Sequence, residues 1–302
     1  LGRQNEIKKD SFTSFAEMPL APDSEHLRAV SYNVHGGVGV DRRRDLDRLL
    51  SVITAINPDV ICFQEAFESI IDPGFSLRTT IASLWQGKCH FEFLHLHSRN
   101  GIRYGLAIAS KYPLQLRQST AFESSDSRLK NYEPRGAMWA EVETKERLPV
   151  QIVNTHFGLS SMERKLQTDV LLGDQWLGPS KEQENLIICG DFNAGSHASS
   201  YLRFAANFSD AQLKANKGKA SASFLSWAPL RRIDHIFAAK HIHISNAGVF
   251  RSSIARRASD HLPVFAEMEI PYPRSFNSCN LKDKHSSDNK VISSRPKPEL
   301  AQ

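Results

Sequence analysis

The feature of this sequence that most constrains its fold is a series of short apolar runs, most of which end in polar residues. Their length and their content of β-branched and aliphatic residues are typical of buried strands. Eight of them are predicted as strands: 27–36, 60–65, 104–110, 137–143, 149–157, 186–192, 232–238 and 262–270. Apolar residues at helical spacing predict two helices as well, over Asp41–Ile56 and Met162–Trp176. The pattern therefore favours strands mixed with a few helices.

The composition excludes two broad classes of protein. Hydrophobic residues make up 40% and charged residues 24% of the 302 residues, which is ordinary for a globular chain and excludes wholesale disorder. No apolar run approaches the roughly 18 residues that span a bilayer, so we expect no transmembrane segment.

The pattern of strands and helices is continuous and predicts one domain over 27–271. No Pro/Gly-rich linker and no internal repeat interrupts it. A polar N-terminal arm precedes the domain over 1–26. The segment 272–302 is rich in Ser, Asn, Lys and Pro, carries much of the net charge of +5, and is predicted to be a basic, disordered tail. Because the tail holds that charge, the basic total says little about a nucleic-acid groove.

The cysteines and the first residues bear on the cellular compartment. None of the four cysteines forms a CxxC pair, so we expect no structural zinc site. Cys62 and Cys189 lie inside apolar runs, which suits buried free thiols and a reducing compartment. The N-terminal residues lack the apolar stretch of a signal peptide. We therefore expect a cytoplasmic protein, although a start at Leu1 leaves a removed leader open.

Polar side chains gather at the ends of the predicted strands. Each has an ordinary structural explanation when taken alone: a turn residue, a cap, a satisfied histidine, an Asx turn, or an ion pair of Asp234 with Arg231 or Arg232. Taken together, they bring carboxylate, amide and imidazole groups into one domain: Asn33, Glu65, His156, Asp191, Asn193, Asp234, Asp260 and His261. Carboxylate and amide oxygens are hard ligands that suit Mg²⁺ or Mn²⁺. Histidines beside carboxylates suit proton transfer or donation to a phosphoryl oxygen.

At these residues the chain resembles a known family. The motifs YNVHG, QE, AIASKYPL, PRGAMWAEV, NTHF, GDFN, RIDHIF and SDHLPV follow one another over roughly 27–270. In this order they resemble the endonuclease/exonuclease/phosphatase superfamily, which includes pancreatic deoxyribonuclease, apurinic/apyrimidinic endonucleases, neutral sphingomyelinases and inositol polyphosphate 5-phosphatases. The compact spacing is most similar to small bacterial members. The resemblance implies an α/β fold, a four-layer αββα sandwich of two mixed sheets packed face to face with helices outside, and metal-dependent cleavage of a phosphate ester.

The resemblance also implies a role for each matching residue. The metal side would comprise Asn33, Glu65 and Asp260. The catalytic side would comprise His156, Asp191, Asn193, Asp234 and His261, with Asp191 directing the attacking water and Asp234 orienting His261. Arg135 would contact the substrate phosphate. Some members carry an acid where this chain has His35, which disfavours a second metal there and makes His35 a candidate for a hydrogen bond to a substrate oxygen.

The expected activity is that of a Mg²⁺- or Mn²⁺-dependent phosphodiesterase acting on nucleic-acid phosphodiester bonds. A lipid or small-molecule phosphodiester, a phosphomonoester, and a catalytically silent binding protein on the same fold stay open as alternatives. The expected partner is accordingly a phosphate-ester substrate, either nucleic acid or a lipid head group, and the chain is expected to be a monomer. Trp227 suits core packing and a substrate cleft equally well. Arg256-Arg257, just before SDH, would either reach a phosphate or lie on a solvated face.

Overall fold

The computed structural model describes residues 24–72, 74–122, 133–178 and 184–272. The predicted arm and tail fall almost wholly outside these ranges. The first strand begins at Ser24, three residues before the predicted start at Leu27.

Two six-stranded mixed sheets pack face to face. In spatial order the first sheet contains β11 (His243–Val249), β12 (Val264–Pro271), β1 (Ser24–Asn33), β2 (Val60–Ser69), β4 (Ile102–Ser110) and β3 (His90–Arg99). The second contains β5 (Leu114–Phe122), β6 (Arg135–Glu143), β7 (Pro149–His156), β8 (Leu186–Asp191), β10 (Asp234–Ala238) and β9 (Ser209–Asp210). The eight predicted strands are all present, and β3, β5, β9 and β11 are additional to them.

Helices cover the outer faces of both sheets, which confirms the expected αββα sandwich. They are α1 (Leu46–Ile56), α2 (Leu77–Leu84), α3 (Ser161–Leu172), α4 (Ser199–Asn207), α5 (Ala211–Ala215) and α6 (Ala255–Ala258). The buried faces of α1, α2 and α6 share one apolar cluster with the first sheet. Helices α3, α4 and α5 contribute to a larger cluster, which contains residues of both sheets. No helix in the described ranges is both long enough and apolar enough to cross a membrane.

Both helices are shorter than predicted. α1 begins at Leu46 rather than Asp41, because the Asp45 side chain accepts a hydrogen bond from the backbone N–H of Arg48 (2.8 Å) and caps the first turn. α3 ends at Leu172 rather than Trp176, because the backbone turns extended at Gly173. Trp176 instead lies buried in the turn that follows.

Strand register brings one end of each sheet to the same place. In the first sheet β1 and β2 run parallel, so that Asn33 lies opposite Gln64. In the second sheet β7 and β8 run parallel and end together, with His156 opposite Asp191. β10 runs antiparallel to β8 and begins with Asp234 opposite that same aspartate. The polar strand ends identified in the sequence therefore meet at one edge of the sandwich.

A buried polar bridge joins the two sheets beneath that edge. The Gln64 amide donates to Asn154 Oδ1 (2.7 Å), and Asn154 Nδ2 donates to the carbonyls of Phe63 (2.8 Å) and Ala107 (2.9 Å). Gln64 and Asn154 are fully buried. Because such groups are costly when unpaired, this bridge fixes the offset between the sheets, and with it the distance between side chains that each sheet contributes to the edge.

Candidate active site

Asp191, the last residue of β8, lies at the centre of the polar cluster and is buried. Its Oδ2 accepts a hydrogen bond from Asn33 Nδ2 (3.2 Å) and lies 3.4 Å from His156 Nε2 and 3.6 Å from His261 Nε2. Its Oδ1 accepts from the backbone N–H of Asn193 (2.9 Å), an Asx turn that holds the following loop. One carboxylate thus connects four of the residues predicted from the sequence.

His261 and Asp234 form a buried ion pair behind Asp191. His261 Nδ1 is 2.9 and 3.1 Å from the two Asp234 oxygens, and the Ser223 hydroxyl donates to the same carboxylate. Burial lowers the pKa of His261, but the carboxylates of Asp234 and Asp191 outweigh it and raise that pKa to about 10. His261 is therefore an imidazolium at neutral pH, and its Nε2–H faces Asp191. Asp234 does not pair with Arg231 or Arg232; Arg232 instead binds Asp210 (2.6 Å).

Burial raises the pKa of Asp191, and the neighbouring carboxylate of Asp234 raises it further, to about 7. The positive charge of His261 and the hydrogen bonds from Asn193 and Asn33 oppose this rise. A carboxylate that titrates near neutral pH can accept a proton from a water molecule and release it again. Asp191 has the electrostatics of a general base.

His156 stays neutral beside Asp191. Burial and the positive charges of Arg135 and His261 hold its pKa well below the usual value. Arg135 is a donor only, and its Nη1 lies 3.1 Å from His156 Nδ1, so Nδ1 accepts and Nε2 carries the hydrogen toward Asp191. Asn193 Nδ2 lies 3.3 Å from the same Nε2 and donates to the carbonyl of Phe157 (2.8 Å).

Glu65 reaches the cluster because β2 is bulged at this point. The pairing of β2 with β4 shifts register between Phe63 and Ala66, and Glu65 has a φ of 49° in the left-handed region. A bulge of this kind turns a side chain away from its regular direction. The half-buried Glu65 carboxylate accepts from Asn33 Nδ2 (3.0 Å), the same group that donates to Asp191. Asn33 thereby links a carboxylate of the first sheet to one of the second.

His35 and Asp260 lie at the outer side of the cluster. The backbone N–H of His35 donates to Asn33 Oδ1 (3.0 Å), and His35 Nδ1 lies 3.7 Å from Asp260 Oδ1. Ser259 donates to the carbonyl of Asn33 (2.8 Å) and lies 3.4 Å from Asp260 Oδ1. With these contacts, the structure brings all ten predicted site residues into one connected network.

Several neighbours of the cluster were not predicted. Ser223 and Ser259 hold Asp234 and Asn33, and the Phe224 ring lies 4.8 Å from the His261 ring. Glu133 binds Arg135 (3.2 Å) and lies 3.6 Å from His97 on β3. Ser259 belongs to the motif that carries His261, so the sequence could have identified it as a neighbour of the site. The other residues lie on segments whose pairing becomes evident only in the folded chain.

The donor set fits a hard divalent cation at Glu65. Asp191, Asp234 and His261 have donor atoms within 4.8 Å of one another, but the imidazolium of His261 already pairs with both carboxylates. Within the described residues, Glu65 accepts a single hydrogen bond, from Asn33, which leaves carboxylate oxygen for a ligand. The raised pKa of Asp191 agrees with this fit, because it shows that the buried carboxylates can accommodate more positive charge.

His235 fixes the loop that follows Asp191. It is buried, and its Nε2 lies 2.8 Å from the carbonyl of Ala194, one residue after Asn193. Burial and the positive charge of Arg232 lower the pKa of His235 to about 4. Its neutral form therefore supports the folded state, and that support is lost as pH falls below the unfolded value of about 6.5 toward the folded value.

We expect His235→Gln to reduce the acid sensitivity of the fold, because glutamine keeps a donor toward Ala194 and does not titrate. Between about pH 7 and about pH 5 the wild type should lose about 2 kcal/mol more of its free energy of unfolding than the variant. Urea denaturation in EDTA measures this difference. His90→Gln, at an exposed histidine of β3, is the matched control and should follow the wild type. Parallel pH profiles for wild type and His235→Gln would contradict this assignment.

Comparison with known proteins bears on the same residues. The model of the endonuclease/exonuclease/phosphatase family matches residues 30–261. Comparison with curated protein sequences gives no match. Three solved structures share the fold: an endonuclease/exonuclease/phosphatase from Beutenbergia cavernae, the human Nocturnin catalytic domain with bound sulfate, and ANGEL2, a 2′,3′-cyclic phosphatase, in complex with adenosine-2′,3′-vanadate.

These likenesses are structural rather than close in sequence. The Beutenbergia protein is 20% identical with a TM-score of 0.67, over 82% of this chain and 72% of that one. Nocturnin is 19% identical with a TM-score of 0.60, over 82% and 97%. ANGEL2 is 14% identical with a TM-score of 0.58, over 82% and 96%. The matched family segment begins in β1 and ends at His261, so it spans the whole polar cluster.

Proposed function

The chain belongs to the endonuclease/exonuclease/phosphatase family and is a phosphoric ester hydrolase, and from that premise we propose that it is a phosphodiesterase dependent on Mg²⁺ or Mn²⁺. One observation carries the proposal. A buried carboxylate with a pKa near 7, Asp191, lies between an imidazolium, a neutral histidine and the amide that leads to Glu65. This arrangement supplies both a group that can take a proton from water and positive or N–H groups that can stabilise a phosphoryl oxygen.

Each residue has a role in the proposed reaction. A divalent cation held by Glu65, with Asn33 and Asp260 beside it, would neutralise charge on the phosphoryl group. Asp191 orients the attacking water and accepts its proton, and Asn193 holds the loop at that position. His261 donates from Nε2 to a phosphoryl oxygen while Asp234 keeps its ring charged and oriented. His156, with Arg135 behind it, donates a hydrogen bond to a phosphoryl oxygen on the other side of Asp191.

Nucleic acid is the substrate class that we propose first. The resemblance of the sequence motifs to a family that includes nucleases supports it, and so does one structural neighbour, ANGEL2, a 2′,3′-cyclic phosphatase in complex with adenosine-2′,3′-vanadate. A lipid head-group phosphodiester is the second candidate. The observation that favours it is the exposed Trp227, whose neighbour Ser226 donates its backbone N–H to the carbonyl of Asp260 (2.7 Å) at the site. A monomeric, cytoplasmic protein stays a prediction.

The purified protein should hydrolyse bis(p-nitrophenyl) phosphate in Mg²⁺ or Mn²⁺ faster than it hydrolyses the mono-ester. EDTA should abolish turnover, and added metal should restore it, because the donor set at Glu65 suits a hard cation. Plasmid nicking and release of a phospholipid head group then separate the two substrate classes. Preferential turnover of the mono-ester would replace the proposed diesterase with a phosphatase. Full activity in EDTA would refute the metal requirement.

A further inference from the structure

Helix α3 presents its faces in an unusual way. Its buried side chains include Glu163, Gln167 and Thr168, whereas Met162, Leu166 and Val170 are exposed. The polar groups face inward because they hold the loop after β7: Gln167 Oε1 accepts from the backbone N–H of Gly158 (2.8 Å), and Glu163 completes a capping box with Ser160. The consequence is an apolar face turned to solvent, beginning close to His156.

Exposed apolar side chains flank the candidate active site on two sides. Leu159 and Met162 come from the loop after β7 and the start of α3, and are 59% and 61% exposed. Trp227 and Leu230 come from the loop before β10, and are 61% and 82% exposed. We call these four residues the mouth rim. Both loops touch the site directly, since Leu159 follows His156 by three residues and the rim loop around Trp227 carries the Ser226–Asp260 contact.

Three arginines lie among the rim residues. Arg164 Nη1 donates to the carbonyl of Gly158 (3.3 Å), Arg256 Nη1 donates to the carbonyl of Trp227 (2.9 Å), and Arg231 lies 6.0 Å from the centre of the Phe224 ring. Across the described ranges, none of the three forms an ion pair with a carboxylate. Burial lowers the pKa of Arg164, the carboxylate of Glu163 opposes this, and the positive charge of Arg231 lowers the pKa further, so Arg164 and Arg231 lie within electrostatic range of each other. The rim therefore combines apolar surface with positive charge, of which only that of Arg164 is partly offset by a neighbouring carboxylate, Glu163.

We propose that the mouth rim docks on an anionic lipid bilayer, so that the active site works at a membrane surface. Aliphatic side chains and a tryptophan enter the boundary between head groups and acyl chains, where Trp is favoured because one end is apolar and the other polar. The guanidinium groups of Arg164, Arg231 and Arg256 stay at the level of the lipid phosphates. Charge complementarity selects the anionic surface over a neutral one.

The composition of the rim favours lipid over single-stranded nucleic acid. Three of its four apolar side chains are aliphatic, and only Trp227 offers a face on which a base could stack. A protein seated on the rim would close the mouth between its two halves. A bilayer would instead present phosphodiester groups at the same surface, a step that rests on the proposed phosphodiesterase function. The rim thus favours the second of the two substrate classes named above, a phospholipid head group, although the motifs place nucleic acid first.

Vesicle co-sedimentation of the full chain in EDTA tests the docking without any turnover. Vesicles of phosphatidylcholine alone are compared with vesicles that also contain phosphatidylglycerol. We expect the wild type to bind the anionic vesicles, and Trp227→Ser/Leu230→Ser and Arg231→Gln/Arg256→Gln each to bind at least about tenfold more weakly. Circular dichroism and thermal melting show that each variant is folded.

Two control variants remove apolar or charged side chains of the same kinds away from the mouth rim. Val170→Ser/Leu202→Ser changes exposed apolar residues toward the far end of α3, where Arg203 pairs with Asp169. Lys145→Gln/Arg147→Gln removes two charges from the turn between β6 and β7, at the opposite end of β7 from His156. Both should bind like the wild type.

Absence of binding to anionic vesicles would overturn the docking proposal, and so would equal loss in rim and control variants. If the chain binds an oligonucleotide but no vesicles, and Trp227→Ser/Leu230→Ser abolishes that binding, the rim is a nucleic-acid site instead. Since this assay measures no hydrolysis, a failed docking leaves the proposed phosphodiesterase intact. A failed turnover assay would likewise leave the binding result standing.

Discussion

The Asp191→Asn variant is expected to lose about 10²–10³-fold in turnover, the range found when a positioned proton-transfer group is removed. The amide keeps the size of the side chain and can still lie between Asn33, His156 and His261. It cannot accept a proton from water, however, and it carries no charge beside the His261 imidazolium. Turnover of bis(p-nitrophenyl) phosphate at saturating metal measures the loss.

The same variant is expected to be more stable than the wild type when metal is absent. The pKa of Asp191 is about 7 in the folded chain against 3.8 as the ordinary value, so ionisation of this carboxylate opposes folding. The opposition begins as pH rises above about 4, is complete above about 7, and does not arise for asparagine. Urea denaturation in EDTA should show Asp191→Asn about 4 kcal/mol more stable at about pH 8, and the difference should shrink toward about pH 4.

This pair of effects separates a functional site from a structural one. A carboxylate that held the fold together would lower both turnover and stability when replaced. Asp169→Asn, at an exposed carboxylate of α3, is the control and should alter neither by much. A less stable Asp191→Asn protein would refute the electrostatic account of this residue, and near-wild-type turnover would refute its role as a general base.

The sequence identified the interior of each sheet and missed the edges. The eight predicted strands are the eight that have neighbours on both sides, and the four that were missed, β3, β5, β9 and β11, are the four edge strands. Interior strands are covered on both faces, so their sequences are continuous apolar runs. In β8, for example, every residue is buried. The edge strand β5 alternates between half-buried and exposed positions. Its apolar content is therefore too low to form such a run.

Bulges explain much of the remaining error. The long edge strands β3, β5 and β11 each contain a register shift, which changes the phase of the alternation partway along the strand. A bulge also explains why the second predicted strand ends at Glu65 although β2 continues to Ser69. The sequence pattern breaks where the backbone departs from regular geometry. At β2, that departure directs a carboxylate into the site.

Motif order was enough to select the site residues, but not their partners. Nine of the ten predicted residues lie at the end or the start of a strand or within a few residues of one, and Glu65 lies at the bulge inside β2. Strand register brings these positions together at one edge of the sandwich. The Gln64–Asn154 bridge joins strands from different sheets, and the Ser223–Asp234 contact depends on a loop that returns to β10. Local sequence patterns carry no information on which strands face each other across the sandwich, so these contacts required the structure.

The Glu65→Gln variant is expected to show the second large effect, because Glu65 offers the carboxylate best suited to the cation. Glutamine preserves the side-chain length but replaces a charged oxygen with an amide nitrogen, and Asn33 Nδ2 then has a weaker acceptor. Loss of several kcal/mol of charge stabilisation at the phosphoryl group corresponds to at least about 10³-fold in turnover. Mn²⁺ affinity, measured by isothermal titration calorimetry, should fall at least about 100-fold.

Asn33→Ala distinguishes a ligand from the residue that orients it. Asn33 Oδ1 accepts from the backbone N–H of His35, so the amide group that faces Glu65 is its N–H. The variant removes the hydrogen bond that orients the Glu65 carboxylate, together with those to Asp191 and His35, but no metal ligand. Metal affinity should therefore fall by about 10–100-fold, less than in Glu65→Gln, as for other residues that support a metal ligand from behind. Glu143→Gln, at the far end of β6, should bind Mn²⁺ like the wild type.

Unchanged Mn²⁺ affinity in Glu65→Gln would place the cation elsewhere in the cluster. Equal losses in Glu65→Gln and Asn33→Ala would instead make Asn33 a direct ligand, which would require its amide to be turned relative to the geometry described above.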